Sequence, residues 1–94
     1  MIHHNDLGNT IFLRKRKLKS LIAKGEITLG GNKQLKIYGT LKCRSGKRMK
    51  IENRVFFTSE KDAINEGFRP CGHCMKHKYW VWKEKNKSTL NLRN

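Results

Sequence analysis

The stretch Gly67-Phe68-Arg69-Pro70-Cys71-Gly72-His73-Cys74 decides the reading of this chain, because it sets two cysteines at CxxC spacing just ahead of a helical pattern. CxxC is the tightest spacing at which two thiolates of one segment converge on a single tetrahedral ion, and a glycine between them relaxes the backbone for the turn. The same four residues suit a redox pair or a disulfide, so the spacing marks only half of a metal site.

After the knuckle, Met75, Tyr79 and Trp82 recur at i, i+4 and i+7, which predicts a final helix to about Lys85 with a packed aromatic face. Trp80 falls on the opposite face, where burial against the first helix and stacking on a nucleic-acid base are the two readings. Residues 86–94 are polar and are expected to be flexible. Upstream, Arg54-Val55-Phe56-Phe57 is β-branched and aromatic, a strand pattern, and Ser59 with Asp62 three residues on caps a short helix that Gly67 ends.

Nearer the N-terminus, Thr10 to Lys24 reads as a helix capped by Asn9 or Thr10 and stopped by Gly25, with Leu18, Leu21 and Ile22 on one face. Ile27-Thr28-Leu29 and Leu35-Lys36-Ile37-Tyr38 read as a hairpin turning through Gly30-Gly31-Asn32-Lys33. A basic loop from Gly39 to Lys50 then carries Cys43 among Lys and Arg side chains. His3 and His4 are expected to be terminal and disordered. The order predicts an α+β fold, a small antiparallel sheet covered by helices, in one domain over 1–94.

Charge narrows the partners. Lys and Arg number 22 against 7 acidic residues, a net charge of +15, which implies a polyanionic partner. No apolar run approaches a membrane span and no lipidation signal is present, so nucleic acid is preferred over a membrane. The start of the chain lacks the basic and apolar segments of a signal peptide, which makes a reducing cytoplasm the expected compartment, where thiols serve as ligands or nucleophiles. At 94 residues with a 36% apolar fraction, a structural metal would supplement a modest core.

Cys43, Glu52-Asn53, Phe56-Phe57, Ser59-Glu60, Ala63, Gly67-Phe68-Arg69-Pro70 and the Cys71-x-x-Cys74 pair follow in the order and spacing of a known family. The chain resembles the N-terminal metal-binding domain of the Ada methylphosphotriester repair protein, most strongly over residues 35–80. The resemblance implies zinc held by four thiolates, two from a loop before the Glu52-Asn53 segment and two from the knuckle, in a small α/β domain seated on the DNA backbone. It also implies that the first loop cysteine takes a methyl group irreversibly from a methylated phosphate, after which the domain binds DNA more tightly as a transcriptional switch.

The chain departs from that pattern at the loop. Cys43 stands nine residues before Glu52, matching the second loop ligand, and the first, four residues earlier, is Gly39. In the alternative alignment Cys43 is the first loop ligand and Lys47 occupies the second position, with a shortened loop. The expected metal ligands are Cys43, Cys71, Cys74 and His77, with His73 or a water as alternatives to His77. Cys43 is also the candidate nucleophile, since neighbouring cations lower a thiol pKa, although a structural role is expected of it.

Arg14, Arg16, Lys42, Arg44, Lys47, Arg48 and Lys50 are the expected nucleic-acid contacts, directed to phosphates, because no helix carries side chains set to read base edges. The resulting expectation is a monomeric zinc-binding, DNA-backbone-binding domain related to alkylation repair. A single-turnover methylphosphotriester methyltransferase using Cys43, and a structural zinc domain that binds RNA, are the competing readings.

Overall fold

A computed structural model describes residues 1–93, with the backbone alone for residue 45 and for 87–93. The strands are β1 (Ile2–His3), β2 (Leu29–Asn32), β3 (Ile37–Thr40), β4 (Arg54–Phe57) and β5 (Arg69–Pro70), and the helices are α1 (Ile11–Ala23), α2 (Arg44–Lys47), α3 (Glu60–Asn65) and α4 (Lys76–Arg93). Short 3-10 turns cover His4–Leu7 and Ile51–Asn53. The fold is α+β, as the sequence predicts.

The strands form one sheet in the order β1-β4-β2-β3-β5. All neighbours are antiparallel except β3 and β5, which run parallel with Ile37 opposite Arg69 and Tyr38 opposite Pro70, so the sheet is mixed rather than wholly antiparallel. The parallel pair follows from connectivity: β4 and α3 intervene between β3 and β5, which permits a crossover that a hairpin could not make. Pro70 lies on an edge strand, where its missing N–H leaves no ladder bond unmade.

The predicted helix boundaries follow their capping residues. The Thr10 side chain accepts the Leu13 amide at the start of α1, and the Ser59 side chain accepts that of Asp62 at the start of α3. Gly25 and Gly67, after α1 and α3, stand at φ +76° and +85°. α4 runs past the predicted end at Lys85, since nothing between Asn86 and Arg93 is a Gly or Pro that would stop it. The flexible tail expected over 86–94 falls, for residue 94 and the side chains from 87 on, outside the described residues.

The hairpin is present with its turn displaced. Gly30, Gly31 and Asn32 lie within β2, and the turn is made by residues 33–36 because the Asn32 carboxamide oxygen accepts the Gln34 and Leu35 amides at 2.9 and 3.1 Å. Gly31 is held in the strand by packing: a Cβ there would stand 3.0 Å from Phe57 Cε2, 3.1 Å from the Ile37 oxygen and 3.3 Å from Phe68 Cε2. At Gly30 the nearest atom to such a Cβ is 3.8 Å away.

One face of the sheet packs Tyr38, Val55 and Phe57 against Ala63 and Phe68, and the other packs Phe56 with Leu21 and Ile27, so α1 and α3 cover opposite faces. Glu60 at the head of α3 accepts the Tyr38 hydroxyl at 2.9 Å and also the Lys78 ammonium, tying β3 to α4. The Lys78 bond, followed by that from Tyr38, lowers the Glu60 pKa, while burial and the carboxylate raise that of Tyr38. Trp80 is 56% exposed, contrary to burial against the first helix, because α4 turns Tyr79 and Trp82 inward instead.

His3 and His4 are ordered rather than disordered. His3 pairs with Val55 in the sheet, and His4 is 6% exposed with its ring 5.4 Å from that of Phe56. Desolvation, then the charges of Arg54 and Arg14, holds the His4 pKa below its usual value, and its buried Nδ1 has no hydrogen-bond partner.

Two stability outcomes follow. Gly31→Ala should lose about 1–3 kcal/mol by urea denaturation through overpacking, with Gly30→Ala far closer to wild type. As pH falls below 6.5, the unfolded chain takes up the His4 proton before the folded one does, so the wild type should lose more stability between pH 7.5 and 5.0 than His4→Leu does.

Candidate metal centre

β5 delivers the knuckle to the end of β3. The Arg69 amide donates to the Lys36 oxygen and the Cys71 amide to the Tyr38 oxygen, both at 2.8 Å, so Cys71 emerges beside Gly39 and Thr40. The chain then turns, with the Met75 amide on the Cys71 oxygen at 3.0 Å, and enters α4. From the other side, the Cys43 amide donates to the Thr40 oxygen at 3.2 Å, which folds Cys43 back over the same strand end as the N-cap of α2.

The three sulfur atoms of Cys43, Cys71 and Cys74 thereby lie within 4.8 Å of one another. Cys43 Sγ and Cys71 Sγ are 3.8 Å apart, which is close to the roughly 3.8 Å edge of a tetrahedron built on metal–sulfur bonds of about 2.3 Å. All three carry thiols rather than a disulfide, Cys43 and Cys71 buried and Cys74 half-buried. Backbone N–H groups already point at the sulfurs, from Thr40 to Cys74 at 3.3 Å and from His73 to Cys71 at 3.4 Å. Burial pushes the Cys74 thiol up, and the Thr40 bond opposes that shift. Three sulfur donors gathered this closely fit a soft divalent ion.

Gly39 abuts this trio. A Cβ at that position would stand 2.8 Å from Cys74 Sγ and 3.2 Å from Cys71 Cβ, so residue 39 touches the cluster without bringing a donor to it. This geometry favours the alignment in which Cys43 is the second loop ligand and Gly39 replaces the first. Lys47 is an exposed residue of α2. His73 and His77 are both exposed, and neither joins the group of ligand atoms formed by the three cysteines.

Arg54 and Arg69 have roles that the sequence pattern does not reveal. Arg54 Nη2 donates to the carbonyls of Gly46, Met49 and Lys47 at 2.8, 3.1 and 3.5 Å, anchoring the loop that carries Cys43 to β4. Rather than pairing with Glu52 or Glu66, the Arg69 guanidinium lies 5.2 Å from the Tyr79 ring centre and 5.3 Å from that of Trp82, and donates to the Pro70 oxygen. The planar cation gains more from two stacked rings beside it than from exposed carboxylates elsewhere. A lone Arg after a Gly-Phe pair holds no signal for that choice, which depends on where α4 packs.

A cavity of about 700 Å³ opens over Gly39, Cys43 and Cys71, bounded also by Arg54, Arg69 and Tyr79. Of the expected nucleic-acid contacts, Arg16, Lys42, Arg44, Lys47, Arg48 and Lys50 are exposed. Arg14 is half-buried and donates to the Gly8 oxygen at 3.1 Å, which turns it toward the N-terminal segment. Among the described residues, no helix is long and apolar enough to cross a membrane.

Fold and site together define a small α+β domain built to gather three thiolates around a metal ion. The model of one family, the metal binding domain of Ada, matches residues 23–76, more than half of the chain, and the chain belongs to that family. No curated protein and no solved structure matches it.

Because the ion would cross-link segments that otherwise share few contacts, chelation should lower stability by at least about 2 kcal/mol, on the order of 10 °C in melting temperature for a domain of this size. Cys71→Ser should abolish the one-metal-per-chain species in native mass spectrometry, and an apo protein as stable as the loaded one would contradict the assignment.

Proposed function

We propose that this is a zinc-stabilised DNA-binding domain related to alkylation repair, which sits on the phosphate backbone and lacks the family's methyl-acceptor thiol. The observation that carries the reading is the gathering of Cys43, Cys71 and Cys74 within 4.8 Å, beside the loop of exposed cations that carries Cys43. Zinc is the metal this donor set selects in a reducing compartment, since it accepts sulfur-rich tetrahedral sites and brings no redox chemistry. Three thiolates stay reduced in a cytoplasm, the location this reading requires.

In this reading, zinc when bound supplies a structural cross-link between the loop and the knuckle. Lys42, Arg44, Lys47, Arg48 and Lys50 then meet phosphates from a loop whose path Arg54 holds, and Arg16 extends the contact along α1. None of these six residues is in an ion pair among the described residues, so each offers an uncompensated charge. Trp80, exposed and with the Lys83 ammonium 5.1 Å from its ring centre, is available to stack on a base from the outer face of α4. Monomeric binding is enough for such contacts.

Lys47→Gln and Arg48→Gln should each weaken duplex DNA binding to a similar degree for unrelated sequences, and each should reduce the slope of log affinity against log salt by roughly one. A clear preference for RNA over matched duplex DNA would overturn the DNA reading. Incubation with DNA bearing a methylphosphotriester should leave the mass of the chain unchanged. A gain of one methyl group on Cys43 would assign the chain to the single-turnover methyltransferases instead.

A further inference from the structure

We propose that the thiolate trio, when it holds its metal, takes a small external thiolate as a fourth donor, admitted through the cavity that Gly39, Cys43 and Cys71 line. The inference rests on the metal reading of Cys43, Cys71 and Cys74. Three cysteine sulfurs supply three of the four positions that zinc fills in a tetrahedral site, and an outside donor can take the fourth. Residue 39 abuts the trio so closely that a Cβ there would stand 2.8 Å from Cys74 Sγ, and as glycine it contributes no donor atom. The exposed His73 and His77 stand outside the sulfur group.

The cavity argues for a ligand of small-molecule size. Gly39, Cys43 and Cys71 all line it, and about 700 Å³ lies within the range of sites that enclose small molecules.

Donor chemistry and charge select the class. A sulfur-rich centre favours a further soft donor over a hard oxygen. Arg54, Arg69 and Lys47 stand in the cavity wall, and among the described residues none of them pairs with a carboxylate. Both guanidiniums are held in place, Arg54 by loop carbonyls and Arg69 by the Tyr79 and Trp82 rings, so their charge faces an entering anion without reorganisation. Leu18, Ile22 and Phe56 offer apolar wall to a short carbon chain. A low-molecular-weight thiol that also carries a carboxylate meets all of these conditions. On binding, its S–H proton passes to solvent and its sulfur lone pair to the metal; no electron is transferred and no oxidant is required.

The test uses the full chain loaded with Co²⁺ as a spectroscopic replacement for zinc, titrated with mercaptoacetate. The thiolate-to-cobalt charge-transfer absorption should rise saturably by about one third as three thiolates become four, with a stoichiometry of one per chain. Native mass spectrometry should show one metal and one mercaptoacetate on the same chain. A loaded wild type whose spectrum is unmoved by excess mercaptoacetate, or which merely surrenders its metal to it, overturns the proposal and leaves the metal centre standing. A chain that binds neither Co²⁺ nor Zn²⁺ overturns the metal reading itself.

Discussion

The parallel pairing of β5 with β3 is the constraint on which the site depends. Two backbone bonds of 2.8 Å, Arg69 to Lys36 and Cys71 to Tyr38, bring the knuckle against a strand 33 residues away in sequence. Once that register is set, the Thr40 amide meets Cys74 Sγ, and Cys43, folding back on Thr40, meets Cys71. A strand of two residues has little stability of its own, so Phe68, plugged between Phe57 and the Lys36 ammonium, provides the apolar anchor at its start. A metal at its far end would anchor the other.

Charge acts on the same region from a different direction. A net charge of +15 disfavours compaction by self-repulsion, and the cations crowd the loop and the cavity wall. The fold answers by giving particular cations neutral partners: carbonyls for Arg54, aromatic faces for Arg69, and the Gly8 oxygen for Arg14. Three thiolates holding a dication would carry one net negative charge, an anionic centre set among those cations. The loop around Cys43 stays positive at its surface through the exposed Lys42, Arg44, Lys47, Arg48 and Lys50.

Much of the local structure was legible beforehand because it rests on neighbours in sequence. The caps at Thr10 and Ser59, the stops at Gly25 and Gly67, and the β4 pattern all involve residues within a few positions of one another. The hairpin turn was misplaced because a Gly-Gly pair ordinarily signals a turn; here Gly31 lies in β2 because Phe57 and Phe68 come too close to admit a side chain. His4 was misjudged for a similar reason, since its burial depends on Phe56 and on β1 joining the sheet edge.

From sequence alone came the element types, the CxxC half-site, the basic loop around Cys43, and the missing thiol at Gly39, each carried by residue type and short spacing. Only the tertiary structure decided that three sulfurs converge, that Gly39 rather than Lys47 abuts them, and that the histidines stand outside. Those facts depend on the crossover that sets β5 beside β3. A distance between atoms far apart in the chain is a property of the packed core, and no local pattern encodes it.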